Sequence, residues 1–143
     1  MARIEKIIII NAPIEKVFNY VEDPTNLPEI WSSLVEVKDV ERLPNGGTKY
    51  GWLYKMTGVR FEGTTETTEY VTNQRLVTDN KGGVSCIIAW TFKSEDSSTK
   101  LTFEVDYTVN IPVLRKLAEP LLVKLNENEA DLLVGNLKAK MET

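Results

Sequence analysis

Histidine is absent from the 143 residues, and several chemistries go with it. The usual zinc ligand sets, the Ser-His and Cys-His nucleophile pairs, and imidazole as a base near neutral pH all require it. Any catalyst here must use carboxylates, Tyr, Lys, Cys or a bound water, and neither a metal site nor a cofactor is expected. Cysteine occurs once, as Cys86, so no internal disulfide can form. Nor is there a surplus of positive charge: 17 Lys and Arg stand against 21 Asp and Glu, a net charge of −4. Too few cations are left over to neutralise a phosphate backbone, which makes nucleic acid a poor partner. Long apolar runs are missing as well. The longest, Cys86 to Trp90, falls far short of the roughly 20 residues a membrane-crossing helix needs, as does Ile7 to Ile10, and no positively charged segment followed by a signal-type apolar region opens the sequence. The expectation is a cytoplasmic chain that does not span a membrane, either a monomer or a weak homodimer.

What is present suits one soluble globular domain over residues 1–143. With 42% hydrophobic and 27% charged residues, a chain near this length buries roughly 68–70% of its unfolded surface. No internal repeat, low-complexity tract or linker divides it.

The opening RIEKIIIIN is rich in β-branched residues and ends at Asn-Ala-Pro, so it reads as a strand meeting a helix start. Pro13 suits the first helical position, where its missing N–H costs nothing. Beyond it, Ile14, Val17, Phe18 and Val21 form one apolar stripe, which predicts a helix over 13–22. Asp23-Pro24 repeats the start signal for a short second helix through PTNLPEIW, kept short by Pro28. From residue 33 the pattern changes to period two, in LVEVKDVERL and then in KYGWLYKMT, with Asn45-Gly46 marking a hairpin between them. Further strands are expected at 59–71, 75–80, 84–93 and 99–109. Connections this short allow only antiparallel neighbours. The last segment, 112–140, carries an apolar stripe and begins with a well-placed proline; it predicts a long amphipathic helix that Pro120 should kink or locally break.

Parity sorts the strand faces. Tyr50, Trp52, Tyr54 and Met56 share one side of their strand; Val84, Cys86, Ile88, Trp90 and Phe92 share another, and Leu101, Phe103, Val105, Tyr107 and Val109 a third. The long helix needs a surface for its own stripe, so it should cover these aromatic-rich faces. On strand 59–71 the odd-numbered face is the less charged, so Phe61, Thr65, Thr67 and Glu69 should point inward, unless the threonines sit on a solvated strand end. In the helix stripe, Asn128 or Glu129 falls where an apolar residue is expected. Each aromatic can be ordinary core, or can line a void in which a ligand or water satisfies its N–H or O–H. Cys86 reads as a small buried hydrophobe.

The segments INAPIEKVFNYVEDPTNLPEIW (10–31) and VLRKLAEPLLVKLNENEADLLVGNLKAKME (113–142), in this order of elements, resemble the START-like (SRPBCC) superfamily. The nearest likeness is to its polyketide cyclase/dehydrase and lipid-transport group, relatives of the birch pollen allergen. The resemblance implies an α+β helix-grip fold: a curved antiparallel sheet of about seven strands around a long C-terminal helix, with two short helices after the first strand. It also implies an elongated apolar cavity, walled by Trp52, Tyr54, Phe61, Trp90, Phe103 and Tyr107, with Trp31 near one end and Leu121 and Leu125 looking in from the helix.

The leading expectation is therefore binding or carriage of a hydrophobic or amphipathic small molecule, such as a lipid, isoprenoid, quinone or polyketide-like compound. Thr65, Thr67, Asn128 or a tyrosine hydroxyl would orient it. The enzymatic alternative is a metal-free cyclase or dehydratase in which a desolvated Glu69 is the acid or base, with Tyr54 or Tyr107 as donor. A third reading is a protein-interaction module, which predicts a filled interior and an exposed apolar patch.

Overall fold

The computed structural model describes residues 2–56, 58–82, 84–109 and 112–143; the side chains of 2, 56, 84, 107–109 and 112–126 fall outside that description. Strand β1 (Ala2–Ile10) leads into helix α1 (Ile14–Val21), a 3-10 turn (Pro24–Asn26) and a one-turn helix α2 (Leu27–Ile30). Six strands follow: β2 (Leu34–Arg42), β3 (Thr48–Met56), β4 (Val59–Val71), β5 (Arg75–Gly82), β6 (Val84–Glu95) and β7 (Ser98–Val109). Helix α3 (Pro112–Met141) ends the order. The sheet runs β1-β7-β6-β5-β4-β3-β2, antiparallel throughout, so the first strand pairs with the last and the meander fills the space between. This is the helix-grip arrangement, and the strand boundaries fall within two residues of those expected from periodicity.

Local chemistry explains the helical segments. Pro13 is the N-cap of α1 rather than its first helical residue, with extended backbone and a carbonyl that accepts from the Lys16 and Val17 N–H groups. Val17, Phe18 and Val21 are buried, and Phe18 meets Phe92 and Tyr70 edge-on at 5.2 and 5.4 Å. Such perpendicular pairs contribute about 0.5–1.5 kcal/mol beyond the area they bury. Asp23 caps the next turn, its Oδ1 accepting from Thr25 N at 3.0 Å, with Pro24 in the first helical position.

Helix α3 is assigned as one element through Pro120, so that residue does not end it. In the described half, Ala130, Leu133, Val134, Leu137 and Met141 are buried. Leu132 is 57% exposed, because it lies on the opposite side of the helix from the sheet. Polar contacts fasten this half: Asn136 Nδ2 donates to the Ile30 carbonyl at 3.1 Å, Lys138 Nζ to that of Ile9 at 2.7 Å, and Lys16 Nζ to that of Met141 at 2.8 Å. These contacts hold the helix over the inner face of the sheet.

Irregularities in two of the strand pairings re-aim side chains. The β2–β3 register shifts twice, once beside Asp39, whose φ is +56°. In the β4–β5 pairing a shift lies between Thr67 and Glu69. An extra residue in one strand reverses the inward and outward parity beyond it.

Candidate functional site

Between the inner face of the sheet and α3 lies a cavity of about 90 Å³. Trp52 and Tyr54 from β3, Thr65 from β4 and Phe103 from β7 line it, with Trp31 from the end of α2. Helix α3 contributes Glu129, Ala130 and Leu133. A smaller chamber of about 30 Å³ adjoins it beneath α1 and α2 and is lined in part by Thr67, Trp90 and Thr78. Trp31, Tyr50, Asn80 and Ile88 border both spaces.

Ring packing gives the wall its shape. Trp31 and Trp52 each meet Tyr54 nearly at right angles, with centroids 5.9 and 6.4 Å apart, while Trp90 and Phe103 are 4.6 Å apart. Trp52 can lie where it does because it stands opposite Gly63 on β4, which in turn stands opposite Gly82 on β5. A Cβ on Gly63 would come within 2.3 Å of Trp52 Cζ2. The indole therefore crosses a backbone floor without side chains.

The polar groups fall into three sets. First, the Nε1–H groups of Trp31 and Trp52 are buried without a hydrogen-bond partner. Leaving a buried donor unsatisfied costs about 1–3 kcal/mol. Second, Ser33 donates its hydroxyl to Glu129 Oε1, and this carboxylate sits at the cavity close to the Tyr54 hydroxyl. Burial, and then the nearby Glu129 charge, push the Tyr54 hydroxyl well above the ordinary tyrosine range, against smaller opposing effects of Trp31 and Ser33. Third, Thr65 donates to Asn80 Oδ1, while Asn80 Nδ2 donates to Thr78 Oγ1 at 3.1 Å and to the Cys86 carbonyl at 3.2 Å. Burial raises Tyr50 to about 12 and the Cys86 thiol to about 12. A thiol held protonated this way is a packing group and not a nucleophile.

Of the residues singled out from sequence, Trp31, Trp52, Tyr54, Thr65 and Phe103 meet at the larger cavity, and Thr67 and Trp90 at the smaller chamber. Phe61 is buried beside them in the hydrophobic core but borders neither space. Tyr107, Leu121 and Leu125 lie outside the described side chains. Two expectations are corrected. Glu69 faces solvent and pairs with Arg75 at 3.1 Å, because the shift after Thr67 turns it outward and brings Tyr70 in against Phe18. Asn128 is exposed; the polar residue in the gap of the helix stripe is its neighbour Glu129. Asn80 was not anticipated, although its even-numbered position places it on the same face as buried Leu76 and Thr78. The Ser33–Glu129 contact joins residues 96 apart in sequence and leaves no local signal.

No group of three or more His, Cys, Asp or Glu that could hold a metal ion occurs among the described residues, and none of their helices is long and apolar enough to cross a membrane. The described cavity walls carry carboxylates and no Lys or Arg.

The protein-family model described as polyketide cyclase / dehydrase and lipid transport matches residues 1–142. No curated protein matches the sequence. Among solved structures, the chain is similar to the Zhui aromatase/cyclase from Streptomyces sp. R1128, with a TM-score of 0.85 at 13% identity over 99% of this chain and 93% of that one. It is also similar to a START superfamily protein from Mycobacterium smegmatis, with a TM-score of 0.82 at 17% identity over 98% and 97%. A protein of Thermus thermophilus gives a TM-score of 0.76 at 22% identity over 98% and 97%. At these identities the likeness is one of fold.

Proposed function

Because the chain belongs to the polyketide cyclase / dehydrase and lipid transport family, we propose that residues 1–143 act as one domain that binds a hydrophobic or amphipathic small molecule between sheet and α3. The observation that carries this reading is the buried Trp52 indole N–H, left without a partner at an aromatic-walled cavity, beside the Trp31 N–H, which faces the Tyr54 hydroxyl without a well-formed hydrogen bond. Native interiors rarely leave such donors unpaired, and a ligand oxygen that took them up would recover the cost of burying them. Burial of the ligand's apolar surface, at about 25 cal/mol per Å², supplies the main driving force. Carriage requires no more than this.

The test fills the cavity from the helix side. Ala130 is buried and borders the space; Ala130→Phe should abolish binding of Nile red by the purified chain while circular dichroism keeps its native form. Unchanged dye affinity in a folded Ala130→Phe protein would place binding elsewhere. Native mass spectrometry of the unmodified protein should show a co-purified apolar compound.

A second reading, enzymatic, rests on Glu129. Its carboxylate is held by Ser33 at the cavity beside Tyr54, which is the placement a general acid or base needs, and a similar fold carries an aromatase/cyclase. With a turned-over substrate in hand, Glu129→Gln should lower kcat by at least about 100-fold, whereas for a carrier it should change only affinity.

A further inference from the structure

The smaller chamber is built differently from the larger one. Thr48, Thr67 and Thr78 line it, each at least nine-tenths buried, at 5, 3 and 9% exposure. Thr67 Oγ1 accepts from the Thr48 N–H at 3.0 Å and Thr78 Oγ1 from Asn80 Nδ2, yet no hydrogen bond among the described residues uses the hydroxyl hydrogen of any of the three. The Thr48 hydroxyl makes no hydrogen bond of either kind among them. The hydroxyls of three buried threonines thus surround a space of about 30 Å³, large enough for one small polar group.

Charge narrows the choice of group. Glu22 also borders the chamber, its Oε2 accepting from Arg42 Nη1 at 2.9 Å, and Glu129 stands at the larger cavity. Arg42 is thus already paired, and it also donates to the Gly46 carbonyl at 2.8 Å. A bound carboxylate or phosphate would be buried near these acids with no described cation to meet it, which is costly.

Resting on the cavity reading above, we propose that the ligand is a neutral oxygenated compound. Its body occupies the larger cavity, where an oxygen of its own can meet the Trp52 N–H, and a terminal hydroxyl or carbonyl reaches past Tyr50 and Asn80 to accept from the threonines of the smaller chamber. The assignment sets free fatty acids and phosphorylated isoprenoids aside in favour of alcohols, ketones and quinones.

Displacement of Nile red by naphthalene, 2-naphthol and 2-naphthoate at pH 8 tests it. The native chain should bind 2-naphthol about tenfold more tightly than naphthalene, as one good hydrogen bond implies, and 2-naphthoate most weakly of the three. Thr48→Val and Thr78→Val should each cut the naphthol preference, read as the ratio of naphthol to naphthalene affinity, to less than about threefold. Equal binding of naphthol and naphthalene by the native chain, tightest binding of naphthoate, or an undiminished preference in both variants overturns the inference and leaves the cavity reading standing. Failure of the dye and all three compounds to bind overturns both. The native-chain comparison stands whether or not the variants fold.

Discussion

Gly63→Ala is the substitution with the sharpest expectation. An ideal Cβ at this position lies 2.1 Å from the Lys81 carbonyl oxygen, 2.3 Å from Trp52 Cζ2 and 2.7 Å from Trp52 Cη2. Ordinary contact begins near 3.4 Å, so both neighbours would have to retreat by more than an ångström. They differ in freedom to do so. Lys81 is main chain in a paired strand, opposite Thr64, and can move only with β5; the indole is confined by Tyr54 and by Gly82, where an added Cβ would itself lie 2.9 Å from Cη2. Overpacking of a core by one methyl costs about 1–3 kcal/mol, and a collision with backbone belongs at the upper end, so about 3 kcal/mol is expected. Urea denaturation followed by tryptophan fluorescence measures it, with an unchanged m-value showing that the native and unfolded states remain comparable. A double-mutant cycle separates the two collisions: with Trp52→Leu in place, Gly63→Ala should cost about 1 kcal/mol less, and the backbone share should persist. A cost for Gly63→Ala below about 0.5 kcal/mol would refute the packing derived for Trp52, and with it the shape assigned to the cavity wall.

Other outcomes follow from the same geometry. Glu69→Gln should change stability by less than about 0.5 kcal/mol in thermal melts, since its pair with Arg75 is exposed and screened. Ser33→Ala should cost about 1 kcal/mol by urea denaturation, because it removes the donor that holds Glu129. Tyr50 and Tyr54 are raised by burial above the unfolded value of 10.0. The stability they contribute is complete below pH 10, and it is lost as pH climbs toward their folded values. Melting temperature should therefore fall from pH 10 upward, with tyrosinate absorbance appearing together with unfolding; full tyrosine ionisation near pH 10 in a folded chain would contradict their burial. Cys86 should react with a thiol reagent at pH 8 only after denaturant is added, as its buried thiol lies near 12.

The fold was largely legible because each of its signals is local. Proline before an apolar stripe, Asn-Gly between alternating runs and β-branched period-two segments each depend on neighbours a few residues away, and β4 was bounded at Val59 and Val71 on that basis alone. The same reasoning placed Thr65 and Thr67 inward. It failed two residues later, since alternation presumes an unbroken register and nothing in ETTEYV announces the irregularity that sends Glu69 out and Tyr70 in. In the helix stripe a rotation of one residue decides between Asn128 and Glu129, and periodicity alone does not distinguish two adjacent polar residues; Glu129 is the one that meets the cavity. What stayed hidden is the polar interior. Ser33 with Glu129, Thr65 with Asn80 and Asn136 with the Ile30 carbonyl pair residues brought together only by the closed fold. The first two fix polar side chains at the cavity wall, where the Trp52 N–H is left without a partner. Such contacts also differ most between proteins sharing one fold: the backbone arrangement tolerates any side chain that fits, whereas recognition depends on a few polar atoms. Fold likeness at 13–22% identity therefore carries the frame to this chain, and the threonines, the indole N–H groups and Glu129 have to carry the choice of ligand.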